Sequence, residues 1–195
     1  MTHEIQPLRF SFAVRLAPLR REFHLFKFCL SLCAIPCYLY SFWMRTCAYL
    51  RSHLIFRFSL FPIARLFLRF YEYKYGISIP YQTQIGSGLY ISQVGGIVID
   101  QHTVVGKNCN LSHQITLGGA NSATGKGYPV IGDNVYIGPG AKVIGRVYVG
   151  DQTAISANCV VTEDIPDHSV VLGSPGRVVP LDDSAVYINR TDYAQ

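Results

Sequence analysis

The chain has 195 residues, of which 49% are apolar and only 15% are charged. This length is enough for one or two domains with a real core, and the composition excludes an intrinsically disordered chain. The net charge of +5 is unevenly distributed, because residues 1–75 carry eleven Lys or Arg and three Glu (+8), whereas residues 76–195 carry six Lys or Arg and nine acids (−3). The sequence therefore predicts two physically different regions.

Residues 1–75 are predicted to form a basic, apolar helical segment. The stretch 28–44 has no charged residue, but it is shorter than the roughly 20 residues of a spanning helix and contains Pro36. Basic residues among Phe, Leu, Tyr and Trp suit a helix at an anionic membrane surface. A helical cap packed on the next domain is the alternative, and both remain open. Nucleic-acid binding is not expected, because the basic residues are spread through apolar stretches.

Six cysteines lie at positions 29, 33, 37, 47, 109 and 159, and we identify no cleavable secretion signal before them. Reduced thiols are therefore expected, in a cytoplasmic chain that is either free or peripheral to the inner membrane. Cys29, Cys33 and Cys37 would share one helix face, but no further His or Cys completes a metal site. Packing is the better interpretation, and no metal cofactor is predicted.

A six-residue period runs through residues 76–180. Aliphatic or small residues recur six apart in two runs, first at 85, 91, 97, 103, 109 and 115, then at 131, 137, 143, 149, 155 and 161. Because this period fits neither an amphipathic helix nor an alternating strand, it predicts a solenoid. The predicted fold is an all-β left-handed parallel β-helix preceded by the helical segment, with a tail at 181–195.

Three hexads make one coil, so residues 18 apart should stack at the spacing of paired strands. Coil one is predicted to span residues 85–102, and coil two to begin at Thr103. Sixteen residues separate Ile115 from Ile131, which is ten more than one hexad needs. The excess, about residues 121–130 with Lys126, should project as a loop. Such a loop favours a binding role, although a spacer between subunits is the alternative.

Three segments then carry a resemblance to a known family. They are GLYISQVGGIVIDQHTVVGKNCNLSHQITLGG, PVIGDNVYIGPGAKVIG and ISANCVVTEDIPDHSVVLGSPGRVV. They resemble the serine O-acetyltransferase group of hexapeptide-repeat acyltransferases, and within it the short members associated with polysaccharide or capsule acetylation. The resemblance covers about residues 73–179. It implies a homotrimer that uses acetyl-CoA as co-substrate, bound in the groove between neighbouring solenoids.

Several positions depart from the family's pattern. Gln93 stands where the resemblance places the catalytic His, and Ser78 where it places the Asp that orients that His. Ser92 replaces a second Asp, and Tyr128 replaces a second functional His. The residues that recognise serine in the family are therefore missing. Ser92, Gln93 and Tyr128 are expected to contact the acceptor instead.

The turns that the resemblance associates with the cofactor are retained. The resemblance implies that the pantetheine arm and the nucleotide lie along Gly118, Gly119, Gly138, Pro139, Ala141 and Arg177, and we add Lys126 of the predicted loop. Of these, Gly118 and Gly119 are expected to hold the thioester.

The missing His raises the question of the general base, since Gln cannot accept a proton near neutral pH. Leu111 is predicted to lie directly above Gln93, so His113 should lie one coil up and two residues along. His113 is therefore the predicted base, with a structural or acceptor-contacting His and the absence of any base as alternatives. A zinc site is not expected, because no third His lies near His102 and His113.

Together these features predict an acetyl-CoA-dependent O-acetyltransferase. The expected acceptor is a hydroxyl of a surface-polysaccharide sugar rather than L-serine. The alternative is a non-catalytic trimeric homologue that binds CoA or a partner, for which Gln93 is the main argument.

Overall fold

The structure is a computed structural model and describes residues 36–52, 59–122 and 125–180. Predictions for residues 1–35, including Cys29 and Cys33, lie outside the described residues, as does the tail at 181–195.

Two helices precede the solenoid. Helix α1 spans Pro36–Ser52 and helix α2 spans Phe61–Tyr75. Pro36 suits the first position of a helix, where its missing N–H is not needed. Helix α2 ends at Gly76, whose φ of 61° is left-handed and whose N–H donates to the carbonyl of Glu72. Among the described residues, no helix is both long and apolar enough to cross a bilayer.

The helices pack on the first coil of the solenoid. Residues at helical spacing on α1 are buried together with two residues of α2, namely Cys37, Tyr40, Met44, Cys47, Ala64 and Leu68. The buried Tyr40 hydroxyl donates to the carbonyl of Ile79 and accepts from its N–H, both at 2.9 Å. Arg45 Nη2 donates to the carbonyl of Gly86 at 2.7 Å. The helical pair is therefore tied to the start of the β-structure.

The β-structure forms three walls. The first wall consists of β1 (Ile77–Ser78), β4 (Ile97–Ile99), β7 (Thr116–Gly118), β12 (Lys142–Ile144) and β15 (Val160–Val161). The second wall consists of β2 (Gln84–Ile85), β5 (Val104–Val105), β10 (Val130–Ile131) and β13 (Tyr148–Val149). The third wall consists of β3 (Tyr90–Ile91), β6 (Asn110–Leu111), β11 (Tyr136–Ile137), β14 (Ala154–Ile155), β16 (Ser169–Leu172) and β17 (Arg177–Pro180). All wall pairings are parallel except β16 with β17, so the predicted left-handed parallel β-helix is confirmed.

The strand register confirms the second predicted run of inward residues. In part of the first run, the residues that pair along the walls differ from the predicted ones by two positions. In the second run, Ile137 pairs with Ile155 at the expected separation of 18. In the first coil, however, Ile91 pairs with Leu111, which is 20 residues away. Two extra residues are accommodated near Gly95 and Gly96, whose φ values of 109° and 67° favour glycine.

Because of this two-residue insertion, part of the first predicted run is displaced. The predicted residues Ile97, Thr103, Cys109 and Ile115 are all buried, but the residues that stack along the walls lie two positions later, at Ile99, Val105, Leu111 and Leu117. Both sets are buried because the residue two before each wall position also points into the interior.

The projecting segment is a hairpin rather than an irregular loop. Strands β8 (Ala120–Ser122) and β9 (Gly125–Gly127) pair antiparallel. Val105 pairs with Ile131, a separation of 26, so the excess over one coil is the eight residues of this hairpin. The predicted range of 121–130 ran too far, because Val130 belongs to the second wall.

The chain turns between walls at three corners, which we name by their contents. The hairpin corner contains residues 100–103, 119–129, 145–147 and 162–164. The aspartate corner contains residues 86–89, 106–109, 132–135, 150–153 and 166–168. The Gln93 corner contains residues 92–96, 112–115, 138–141 and 156–159.

Candidate functional site

The Gln93 corner brings together the predicted base, His113, and two of the three predicted acceptor contacts, Ser92 and Gln93. Ile91 pairs with Leu111, and the N–H and hydroxyl of Ser92 both donate to the carbonyl of Leu111. Continuing this register places His113, and not Leu111, over Gln93. The expectation that His113 lies two residues farther along was wrong, because the first coil has 20 residues. His113 is half-buried and Gln93 is exposed.

Two predicted cofactor contacts in this corner are structural. Ala141 is fully buried, its N–H donates to the carbonyl of Gly138, and its carbonyl accepts from Thr116. A Cβ on Gly138 would lie 2.8 Å from the carbonyl oxygen of Ile155, so this glycine permits close stacking of coils. Both residues are thus engaged within the protomer, and their role as cofactor contacts stays a prediction. Pro139 is half-exposed and remains available.

The hairpin corner holds the other predicted residues. A Cβ on Gly119 would lie 2.6 Å from Cε1 of Tyr128, so the aromatic ring rests directly on this glycine. Lys126 is exposed on the hairpin, and Gly127 packs against Arg146. The predicted thioester turn and the predicted acceptor contact Tyr128 are therefore adjacent.

The same corner contains a pair that the sequence analysis missed. His102 Nδ1 lies 2.9 Å from Asp100 Oδ1, and the N–H of His102 donates to the same oxygen at 2.9 Å. The imidazole also packs against Tyr128, with ring centroids 4.5 Å apart. The side chains of His102 and Asp100 remain 53% and 37% exposed. The signal for this pair in the sequence was an Asp and a His separated by one residue, in the turn one coil before the hairpin.

The two corners lie at opposite ends of the first wall. His113 precedes β7 and Gly119 follows it, so four residues separate His113 from Gly118, and Gln114 among them has a left-handed φ of 56°. Five fully extended steps of about 3.3 Å would span about 16 Å, which is the upper limit for this separation. The predicted base and the predicted thioester turn therefore lie at opposite ends of β7.

Two basic residues lie at the hairpin corner, Lys126 on the hairpin and Arg146, which the sequence analysis did not single out, one coil farther. Arg177 lies instead in β17 of the third wall, where it pairs with Leu172. It borders a cleft of about 380 Å³ lined by residues 161–165 and 175–178.

Within the described residues, no three His, Cys, Asp or Glu side chains are grouped so that they could hold a metal ion. The described cysteines are free and buried, and burial raises the pKa of Cys47 and of Cys109 to about 11.

Comparison with known families supports the fold assignment. Residues 128–163 match a family model described as "Bacterial transferase hexapeptide (six repeats)". A serine acetyltransferase of Helicobacter pylori is 36% identical over 134 residues, which are 69% of this chain and 78% of the relative. A serine acetyltransferase of Synechococcus elongatus is 33% identical over 74% of this chain and 58% of the relative.

Solved structures give the same result. A Neisseria gonorrhoeae serine acetyltransferase in complex with serine superposes with a TM-score of 0.65 at 27% identity, over 78% of this chain and 60% of that one. A serine acetyltransferase in complex with CoA superposes with a TM-score of 0.63 at 26% identity, over 74% and 57%. The chain thus spans less than two thirds of several relatives that it matches.

Proposed function

Because the chain belongs to the serine acetyltransferase-like group of hexapeptide-repeat acyltransferases, we propose that it transfers the acetyl group of acetyl-CoA to a hydroxyl oxygen. The observation that carries this proposal is the match to the Helicobacter pylori relative over most of both chains. The turn at Gly118 and Gly119, which adjoins the pair formed by His102 and Asp100, also supports acetyl transfer. The similarity to a structure that contains CoA supports the donor.

The comparisons correct the expected acceptor. The relatives described above are serine acetyltransferases, and one solved neighbour contains serine, whereas nothing in the comparisons favours a sugar. We therefore propose L-serine as the acceptor to be tested first. The replacements at Ser92, Gln93 and Tyr128 imply that this chain would hold it through different contacts.

We propose that two copies build each site. In one protomer the thioester turn and His113 lie at opposite ends of β7, up to about 16 Å apart. The resemblance to hexapeptide-repeat acyltransferases implies a homotrimer, and in it we propose that the hairpin corner of each copy meets the Gln93 corner of the next. This homotrimer would place Gln93 and His113 of a neighbour opposite the hairpin.

The cofactor would run along the hairpin corner. The Gly118–Gly119 turn has no side chain and therefore allows the thioester to approach the backbone. The phosphates of CoA carry several negative charges, which Lys126 and Arg146 would neutralise along this edge, while Arg177 would contact them from β17 of the third wall. Pro139, in the other corner, would contact the cofactor only from the neighbouring copy.

The base predicted from the sequence, His113, can act on this thioester only across the subunit boundary. In that position it would take the proton from the acceptor hydroxyl while Gln93 donates a hydrogen bond to the acceptor.

Release of free thiol from acetyl-CoA in the presence of L-serine is the test of the proposed function. A second arm replaces L-serine with a panel of glycans, which tests the acceptor separately. If calorimetry shows CoA binding but neither arm releases thiol, the enzyme assignment is refuted. The alternative, a homologue that only binds CoA or a partner, would then hold.

We further propose that the helical pair contacts an anionic membrane surface from the cytoplasmic side. One face of α2 exposes a stripe of large apolar residues at helical spacing, Ile63, Leu66, Phe67, Phe70 and Tyr73, of which Leu66 is 72% exposed. Trp43 of α1 stacks on Phe67 at 4.6 Å, which extends this stripe to α1. The described helical residues carry five Lys or Arg and one Glu, a net charge of +4. An apolar face with basic flanks fits anionic lipids.

Flotation with phosphatidylcholine vesicles, with and without phosphatidylglycerol, tests this contact. Binding is expected only to the anionic vesicles, and both high salt and Leu66→Glu should abolish it. Leu172→Glu is the matched control, since Leu172 is also exposed but lies at the far end of the solenoid. Failure to bind anionic vesicles at low salt would refute the contact.

A further inference from the structure

The hairpin corner contains its own proton acceptor and orienting acid. The geometry points to His102, oriented by Asp100, as the general base of the acetyl transfer. This inference rests on the proposed function and assigns the base to a residue that the resemblance leaves without a role. It competes directly with His113 across the subunit boundary.

The position of His102 relative to the thioester turn is the first argument. Ile99 pairs with Leu117, and the N–H of Asp100 donates to the carbonyl of Leu117 at 2.8 Å. Gly118 and Gly119 therefore stack over Asp100 and Gln101 at the strand spacing of about 4.8 Å. The next residue is His102. A base must come within hydrogen-bond reach of the hydroxyl that attacks the thioester, and His102 is on the correct corner for this.

The hydrogen bonds around the imidazole give the second argument. The carboxylate of Asp100 can only accept, so Nδ1 of His102 at 2.9 Å is the donor. In that tautomer Nε2 carries the lone pair. The amide nitrogen of Gln101 lies 3.3 Å from Nε2, which suits a donor facing that lone pair. The ring thus has an orienting acid on one nitrogen and a basic site on the other.

Both partners are held in place. The Asp100 carboxylate also accepts from the N–H of His102, which fixes its rotation. Tyr128 packs on the imidazole, and Gly119 leaves room for the tyrosine ring. The arrangement is therefore prepared before any substrate binds, while both side chains stay accessible.

The proton balance closes without any further reactant. The acceptor hydroxyl gives its proton to Nε2 of His102 as its oxygen attacks the thioester carbon. When the C–S bond breaks, the CoA thiolate takes this proton from the imidazolium. The products are the acetyl ester and CoA thiol, and His102 returns to its neutral form.

The test is thiol release from acetyl-CoA and L-serine by the full chain and four variants. His102→Ala should lower kcat about 100-fold with little change in the KM for acetyl-CoA, and Asp100→Asn should lower kcat about tenfold. His113→Ala should lower it less than His102→Ala does. His168→Asn is the control, because His168 lies in the aspartate corner with a φ of 54° that Asn tolerates.

Chemical rescue separates catalysis from structure. Exogenous imidazole should restore part of the activity of His102→Ala and none of the activity of His113→Ala. The inference is overturned if His102→Ala keeps most of the wild-type kcat. It is also overturned if kcat falls in His113→Ala alone. If His102→Ala unfolds by circular dichroism, His102→Gln takes its place, since an exposed amide fits the same volume. No turnover by the unchanged chain would remove the proposed function together with this inference.

Discussion

Aspartate side chains have different roles in the aspartate corner and at Asp100 of the hairpin corner. In the aspartate corner, each carboxylate accepts a backbone N–H from the coil before it. Asp133 accepts from Lys107 at 2.7 Å, Asp151 from Asp133 at 2.6 Å, and Asp167 from Asp151 at 2.9 Å. In the hairpin corner, the carboxylate of Asp100 instead holds a side chain that faces solvent.

The glycines repeat this contrast. A Cβ on Gly106 would meet the backbone carbonyl of Gly132 in the next coil, which cannot move without opening the stack. A Cβ on Gly119 would meet mainly the ring of Tyr128. The comparison teaches that a carboxylate committed to stacking, as Asp164 of the hairpin corner also is toward the N–H of Tyr148, is unavailable for chemistry, whereas the Asp100–His102 pair stays accessible.

Gly106→Ala gives the largest expected effect. Overpacking against backbone costs up to about 3 kcal/mol in free energy of unfolding. Gly119→Ala should cost less than about 1 kcal/mol, because a tyrosine ring can shift. Yet it should lower activity, since Tyr128 packs on His102. Urea denaturation compares the two variants, and equal losses of stability would show that the corners do not differ.

Cys109 should make the aspartate side of the solenoid sensitive to alkali. Burial, and then the nearby charges of Asp133 and Asp151, raise the pKa of this thiol to about 11. The unfolded chain loses the proton above its ordinary value of 9.0, while the folded chain keeps it. The contribution to stability is thus complete below about pH 9 and is lost as pH rises toward 11, by about 2 kcal/mol.

Cys109→Ala should reduce the loss of unfolding free energy between pH 8.5 and 10.5, a range that lies below the raised pKa of about 11. Thr103→Ala is the matched control, because Thr103 is buried at the equivalent inward position and does not titrate in this range. Identical pH slopes for the wild type and Cys109→Ala would contradict the assignment.

The walls could be predicted from sequence because burial repeats with the coil. Ile131 and Ile137 were placed correctly, since no insertion disturbs the second run. The first run slipped by two residues because Gly95 and Gly96 absorb an insertion that a six-residue period cannot reveal. The position of His113 inherited that error.

The candidate site was less accessible to prediction. Lys126 was found because a break in the period marks a projection from the scaffold, whereas Gly119 and Tyr128 were found through the resemblance to the family. The Asp100–His102 pair was missed because its importance depends on a side-chain contact within one turn and on the glycine turn stacked above it. Neither relation is visible as a spacing between hexads.

Removing one carboxylate from the aspartate corner gives the smallest expected effect. Asp151→Ala deletes the acceptor for the N–H of Asp133, and a single hydrogen bond to an exposed carboxylate stabilises by about 1 kcal/mol. Acetyl transfer should be unchanged, because this corner holds none of the proposed site. Asp100→Asn should show the reverse pattern, with stability preserved and activity reduced, since the carboxylate of Asp100 is hydrogen-bonded to His102 in its own turn. Thermal melts and thiol release on the same two preparations measure both effects. A loss of activity in Asp151→Ala as large as in Asp100→Asn would mean that the site depends on the stacking of the whole solenoid rather than on the hairpin corner.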